Sequence, residues 1–322
     1  MKEAAFIKIN KSRWQRYEQK LNDISTLTPD SIAEIYINLT DDVSFASSHY
    51  PNSELYGYLN GLAVKFHHSI YQNKKEKKNR FITFWMTELP LVIANSHKQL
   101  LFSFIIFTVS VIIGALSQAN DENFARLILS DAYVNMTLEN IENGNPMGVY
   151  EETNPILMVL YIFFNNAIIA IKMFVYAIFT SIATCFFIVY NGIMLGCFQY
   201  FFYQEGVFLT SFLTIWIHGT LEISAIIIAG AAGLVLGNGL LFPGTYSRMA
   251  SLRKAAIKGL KIGIGIIPVL LMAAIIESFV TRLFDMPVIL KVLIITLSAL
   301  FIFLYFVLYP IKLKRNATRS EN

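Results

Sequence analysis

Cysteine is scarce in this chain, with two among 322 residues, and neither belongs to a Cys-x-x-Cys pair. That excludes a disulfide-stapled scaffold and a cysteine-held zinc module. Cys185 and Cys197 both fall in apolar stretches, where a thiol acts as a small packing group. Charge is scarce as well, 15% Asp, Glu, Lys and Arg, and it is missing from whole segments such as 100–116. No apolar run occurs before about residue 99, too late for a secretory signal peptide, so the first hundred residues are expected to stay in the mature chain. No convincing internal repeat is present. Gly263-x-Gly265 has no strand before it, so it reads as a kink or close-packing element, not a phosphate loop.

What the chain does have is apolar length. Residues of hydrophobic type make up 55%, aromatics 14%, and the mean hydropathy is +0.52. Runs such as 100–116 and 288–308 approach the roughly 20 residues that cross a hydrocarbon core. The expected fold is all-α: a polytopic helical bundle of about six transmembrane helices with an N-terminal cytoplasmic helical region. The spans read as 99–116, 167–190, 192–214, 219–241, 262–281 and 287–309. Two stretches fit less simply. Residues 154–166 are apolar but short, and read as a re-entrant or interfacial piece. Residues 192–218 hold Gly192, Gly196, Gln204, Glu205 and Gly206, which suggests a broken helix. Irregular backbone at that depth is tolerated where it is buried or lines a wet cavity.

Charge sets the expected orientation. Lys74, Lys75, Lys77, Lys78 and Arg80 precede the first span, and Arg248, Arg253, Lys254, Lys258 and Lys261 fill the fourth connection. Lys312, Lys314, Arg315 and Arg319 mark the basic tail 310–322. The connection 117–153 instead sets Asp121, Glu122, Asp131, Glu139, Glu142, Glu151 and Glu152 against Arg126. By the positive-inside bias both termini are cytoplasmic and 117–153 lies outside. The net charge of +4 follows from this asymmetry and gives no reason to expect nucleic acid.

The domains are therefore expected as a helical region 1–98, a transmembrane domain 99–309 and the tail. Within 1–98, Phe6, Ile9, Trp14, Tyr17 and Leu21 recur at helical spacing. Thr28-Pro29 reads as the start of a second helix, and Leu55, Leu59, Leu62 and Phe66 form a stripe on a third. Residues 80–94 set aromatics beside lysines, as in an interfacial helix.

The stretch 218–237 carries the most chemistry. His218 and Glu222 share one helical face and open an apolar segment. Ionisable groups at such depth cost several kcal/mol, about 3 on insertion scales, and persist where they are used or paired. Ala225, Ala229, Gly233 and Gly237 follow every fourth residue, a stripe that lets a second helix approach closely.

These residues resemble the stage II sporulation protein M family. The most specific part is His218-Gly219, Glu222, Ala225-Ile226-Ile227, Ala229-Gly230-Ala231-Ala232-Gly233 and Leu236-Gly237. Asn165-Asn166, Asn191-Gly192, Leu195-Gly196, Pro243-Gly244, Arg248 and Ile276-Glu277-Ser278-Phe279 support it. Trp14, Leu59-Asn60, Ala63, His67 and Ile70-Tyr71 extend the likeness over nearly the whole chain. Ile217 and Ser224 stand where the family often has proline. The resemblance implies a polytopic bacterial inner-membrane protein. Its namesake works with the stage II sporulation proteins D and P in remodelling septal peptidoglycan during engulfment.

With that topology His218, Glu222, Glu277, Asn165 and Asn166 fall at one depth near the outer face, and the first three are expected to converge. Two carboxylates so close in low dielectric need a cation, a shared proton or a protonated imidazole between them. One reading is a polar pocket opening outward; the other is interhelical glue that fixes register. His218, Glu222 and Glu277 would also make three ligands for a catalytic zinc, but nothing else in the sequence points to catalysis. The expectation is a non-enzyme with no catalytic residues, no metal and no cofactor. It would scaffold or localise an envelope-remodelling complex, with envelope proteins and the lipid bilayer as partners and a homo-oligomer as an open option. The alternative is a transporter or channel for an ion, proton or lipid headgroup.

Overall fold

A computed structural model describes residues 2–22, 27, 29–71, 80–144, 154–179, 181–283 and 286–320. Lys74, Lys75, Lys77, Lys78, Thr28, Glu151 and Glu152 lie outside them. The described residues are 89% helical, without strands. It divides into two compact units, Met1–Arg80 and Phe81–Asn322.

The first unit contains α1 (Glu3–Asn22), α2 (Pro29–His49) and α3 (Glu54–Tyr71). Their apolar stripes meet in a core that includes Trp14, Leu39, Leu59 and Phe66. One buried polar knot fixes the α1–α2 register. The Asp42 carboxylate accepts two bonds from the Arg13 guanidinium at 2.7 Å and one from Trp14 Nε1 at 2.8 Å.

α4 (80–95), in the second unit from Phe81 onward, precedes six helices long and apolar enough to cross a membrane. These are α5 (His97–Asn120), α8 (Pro155–Tyr176), α9 (Ser181–Gln204), α10 (Phe208–Leu241), α11 (Arg248–Val280) and α12 (Val288–Arg319). The helices α6 (Phe124–Leu129) and α7 (Asp131–Glu142) fill much of the acidic connection. They join a core with Cys197, Phe201, Phe202 and Ile215 of α9 and α10. Both cysteines are free thiols. Large apolar side chains such as Phe102, Ile105, Val109 and Ile112 remain exposed along α5, the stripe a lipid-facing helix needs.

Two expected spans are corrected. Residues 154–166 are neither re-entrant nor interfacial. They begin α8, which Asn154 caps by accepting from Ile156 N at 2.9 Å, with Pro155 in the first turn. The expected span 167–190 instead contains the turn 177–179, closed by Ile178 N→Val175 O and Phe179 N→Tyr176 O at 3.1 Å. Lys172 sits exposed near the C-terminal end of α8. Nor is there a broken helix over 192–218. Residues 192–204 complete α9, Gly206 makes the turn at φ +73°, and α10 begins at Phe208.

The ends of the bundle differ in charge. One end gathers the acidic connection, the Gly206 turn and the α11–α12 link; the other gathers the basic connection before α11 and the end of α12. α10 runs through the middle, buried along most of 217–237. Its small residues set the spacing. A Cβ added at Gly233 would lie 2.6 Å from the Met173 carbonyl oxygen of α8, and one at Gly237 would overlap Ser181 of α9. Gly114, Gly192 and Gly196 allow a similar backbone contact between α5 and α9. α4 packs on the bundle, with Leu89 against Gly265 and Trp85 O accepting from Tyr305 Oη at 2.7 Å.

Candidate functional site

The cluster stands where three helices meet toward the acidic end. His218 comes ten residues after Phe208, about 15 Å along α10 at 1.5 Å per residue. It therefore lies well inside this helix and not in its first turns. Glu222 is one turn further on, on the same face. Glu277 sits in the closing π-turn of α11, Ile276–Val280, where Thr281 N reaches Ile276 O at 3.0 Å across five residues. The extra residue in such a turn re-aims side chains, and these turns are frequent at functional sites.

His218, Glu222 and Glu277 converge: one ligand atom from each lies within 4.8 Å of the others. His218 is 3% exposed, and its Nε2 is 3.8 Å from Glu277 Oε1. Asn166, buried in the middle of α8, donates through Nδ2 to Glu222 Oε1. Its neighbour Asn165 is exposed, turned away by the 100° step between adjacent helical residues, and takes no part. The stripe Ala225, Ala229, Gly233 and Gly237 is buried along the same helix.

Thr281 was not among the residues expected at the site. It is fully buried, its Oγ1 lies 2.9 Å from His218 Nδ1, and it also donates to Ile276 O at 3.4 Å. Its position four residues after Glu277 was the available signal. Two cations lie on neighbouring elements: Lys291 Nζ donates to Thr214 Oγ1 at 3.4 Å, and Arg282 is 3.0 Å from Met158 Sδ. At the basic end, a cavity of about 430 Å³ is lined by Asn95, Asn238, Tyr246, Lys254 and Lys258 among others. Lys254 lies over the Tyr246 ring at 3.5 Å, and this ammonium holds the exposed phenol below its ordinary range.

Chemically, the cluster offers an imidazole nitrogen and two carboxylates in a setting of low dielectric. Such a set can hold a metal ion or a shared proton, or tie three helices together.

Residues 103–282 match the family described as Stage II sporulation protein M, which takes in the whole cluster and the small-residue stripe. Residues 4–72 match a separate family, Domain of unknown function (DUF8413). The likeness expected over nearly the whole chain is therefore divided between two families. No curated protein and no solved structure matches the chain.

Proposed function

Because the chain belongs to the stage II sporulation protein M family, we propose that it is a non-enzymatic scaffold that localises an envelope-remodelling complex in a bacterial cytoplasmic membrane. The observation that carries this reading is the solid packing of α10. Leu221, Ala225, Ile228, Ala229, Ala232, Gly233 and Leu236 are all buried in one helix that contacts the five other long helices. A rigid spine held by backbone contact at Gly233 and Gly237 suits a platform. The alternative, a transporter, needs a wet path from the cluster to the opposite face; the dense packing along α10 favours the scaffold over it. The termini and the basic end are cytoplasmic in this reading, and 117–153 is outside, following the positive-inside bias.

The test is crosslinking in native membranes followed by affinity purification of the full chain. Peptidoglycan-active envelope proteins should be recovered, and Gly233→Leu should lose them. Recovery of no envelope protein, together with uptake or efflux of an ion that depends on Glu277, would replace the scaffold by the transporter.

A further inference from the structure

We propose that His218, Glu222 and Glu277 bind a divalent transition-metal cation of the zinc class between α10 and α11. The inference goes beyond the scaffold reading, since a platform of this kind requires no metal.

The first support is the orientation of the imidazole. Thr281 Oγ1 lies 2.9 Å from His218 Nδ1 and 3.4 Å from the Ile276 carbonyl oxygen. With its proton on that carbonyl, the hydroxyl accepts from Nδ1–H, the tautomer that leaves the Nε2 lone pair for a cation. Nε2 is the nitrogen that faces Glu277, at 3.8 Å. Metal-binding histidines are oriented in this way, with the remote nitrogen donating to an outer partner. Glu222 is positioned similarly, by Asn166 from α8.

The second support is the balance of charge. One imidazole and two carboxyl groups bring ligand atoms within 4.8 Å of one another. When both carboxyls are ionised they repel at this range, and a positive ion between them offsets that repulsion.

The third support is size. Zinc–ligand bonds of about 2.1 Å place tetrahedral ligands about 3.4 Å apart. The 3.8 Å separation of His218 and Glu277 is already close to that, and movement of about an ångström by the carboxylates closes the set. One nitrogen and two carboxylates suit zinc or a related transition metal better than calcium, which takes six to eight oxygens. Three protein ligands also leave a coordination position for water or another group.

The experiment uses the full chain, purified in detergent, stripped with a chelator and equilibrated with buffered free zinc at micromolar concentration. Bound metal is counted by mass spectrometry. Replacing His49, His67 and His68 by alanine removes surface histidines that bind zinc adventitiously, and the chain should still hold one equivalent. His218→Ala, Glu222→Gln and Glu277→Gln should each lose it. Thr281→Val keeps all three ligands, so it should reach the same stoichiometry with affinity about 10 to 100-fold lower. Cobalt in place of zinc should give visible absorption from a nitrogen–oxygen site, and zinc should raise the unfolding temperature, in the chains that keep all three ligands and in none that lacks one. These two readings separate loss of the site from loss of the fold. Equal zinc in the wild type and in the His218→Ala/Glu222→Gln/Glu277→Gln chain would overturn the proposal and assign the cluster a shared proton instead.

Discussion

Replacing Gly233 by alanine pits helix propensity against close packing, and the structure indicates which wins. In a helix interior alanine is favoured over glycine by about 1 kcal/mol. At position 233 the added methyl would lie 2.6 Å from the Met173 carbonyl oxygen and 2.7 Å from Thr184 Cγ2. Backbone cannot yield as a flexible side chain does, and overpacking of this kind costs about 1–3 kcal/mol. The same spot holds the buried bond from Thr184 Oγ1 to Met173 O at 3.0 Å, and disturbing it costs about 1 kcal/mol more. Gly233→Ala should thus lose about 2 kcal/mol in net terms. Gly263 on α11 is the control, because a Cβ there meets nothing within 4 Å. Gly263→Ala should be neutral or gain up to about 1 kcal/mol. Unfolding of both variants in mixed micelles of rising SDS content, followed by far-UV circular dichroism, measures the difference, about 3 kcal/mol between the two. A Gly233→Ala chain as stable as Gly263→Ala would mean that α10 does not approach the α8–α9 turn as described. Gly233→Leu should then also assemble normally.

Three further outcomes can be checked. Asp42→Ala leaves Trp14 Nε1 and the Arg13 guanidinium without their acceptor, so the first unit should lose about 2 kcal/mol. Hydrogen exchange of the full chain should show amides of α1 and α2 opening about 30-fold more often, at tenfold per 1.4 kcal/mol, with α10 unchanged. Tyr305→Phe deletes the 2.7 Å bond to Trp85 O and should cost about 1 kcal/mol, read by the same micellar unfolding; no change would mean that water replaces the bond. Single cysteines at Asn143 and Ser320, in a chain with Cys185 and Cys197 replaced, should label from outside and from the cytoplasm respectively. Labelling of Asn143 from the cytoplasmic face alone would reverse the orientation.

The helices of the first unit were legible because each carries one strong stripe, and Leu55, Leu59, Leu62 and Phe66 read as α3 without ambiguity. The spans were legible in number but not in their limits. In a membrane segment hydropathy is uniform, so a turn leaves little trace when neither glycine nor proline marks it. The Ala177-Ile178-Phe179 turn is entirely apolar, and an averaging window runs straight across it. The start of α8 was the reverse case, since Asn154-Pro155 is a capping signal that outweighs the short apparent length of 154–166. Gln204-Glu205-Gly206 was read as a break at membrane depth, although polar residues and a left-handed glycine are what a connection at the bundle end requires.

At the site, helical spacing was enough to pair His218 with Glu222, and antiparallel directions were enough to bring Glu277 to the same depth. It could not separate Asn166 from Asn165, because the two are adjacent and the face of α8 toward α10 is fixed by packing at Met173 and Gly233, remote in sequence. Thr281 was missed for a different reason. In a regular α-helix, residues 277 and 281 share a face about 6 Å apart, so spacing alone puts the threonine beside the glutamate without saying which ring atom it meets. The π-turn adds a residue to that coil and so lets Glu277 and Thr281 approach His218 through different nitrogens, Nε2 and Nδ1. The imidazole is thereby held from both sides by one short stretch of α11. That arrangement ties its ring orientation to the turn itself, so restoring a regular coil by deleting one residue within 276–280 should uncouple Thr281 from Nδ1 while leaving the α10 pair in register.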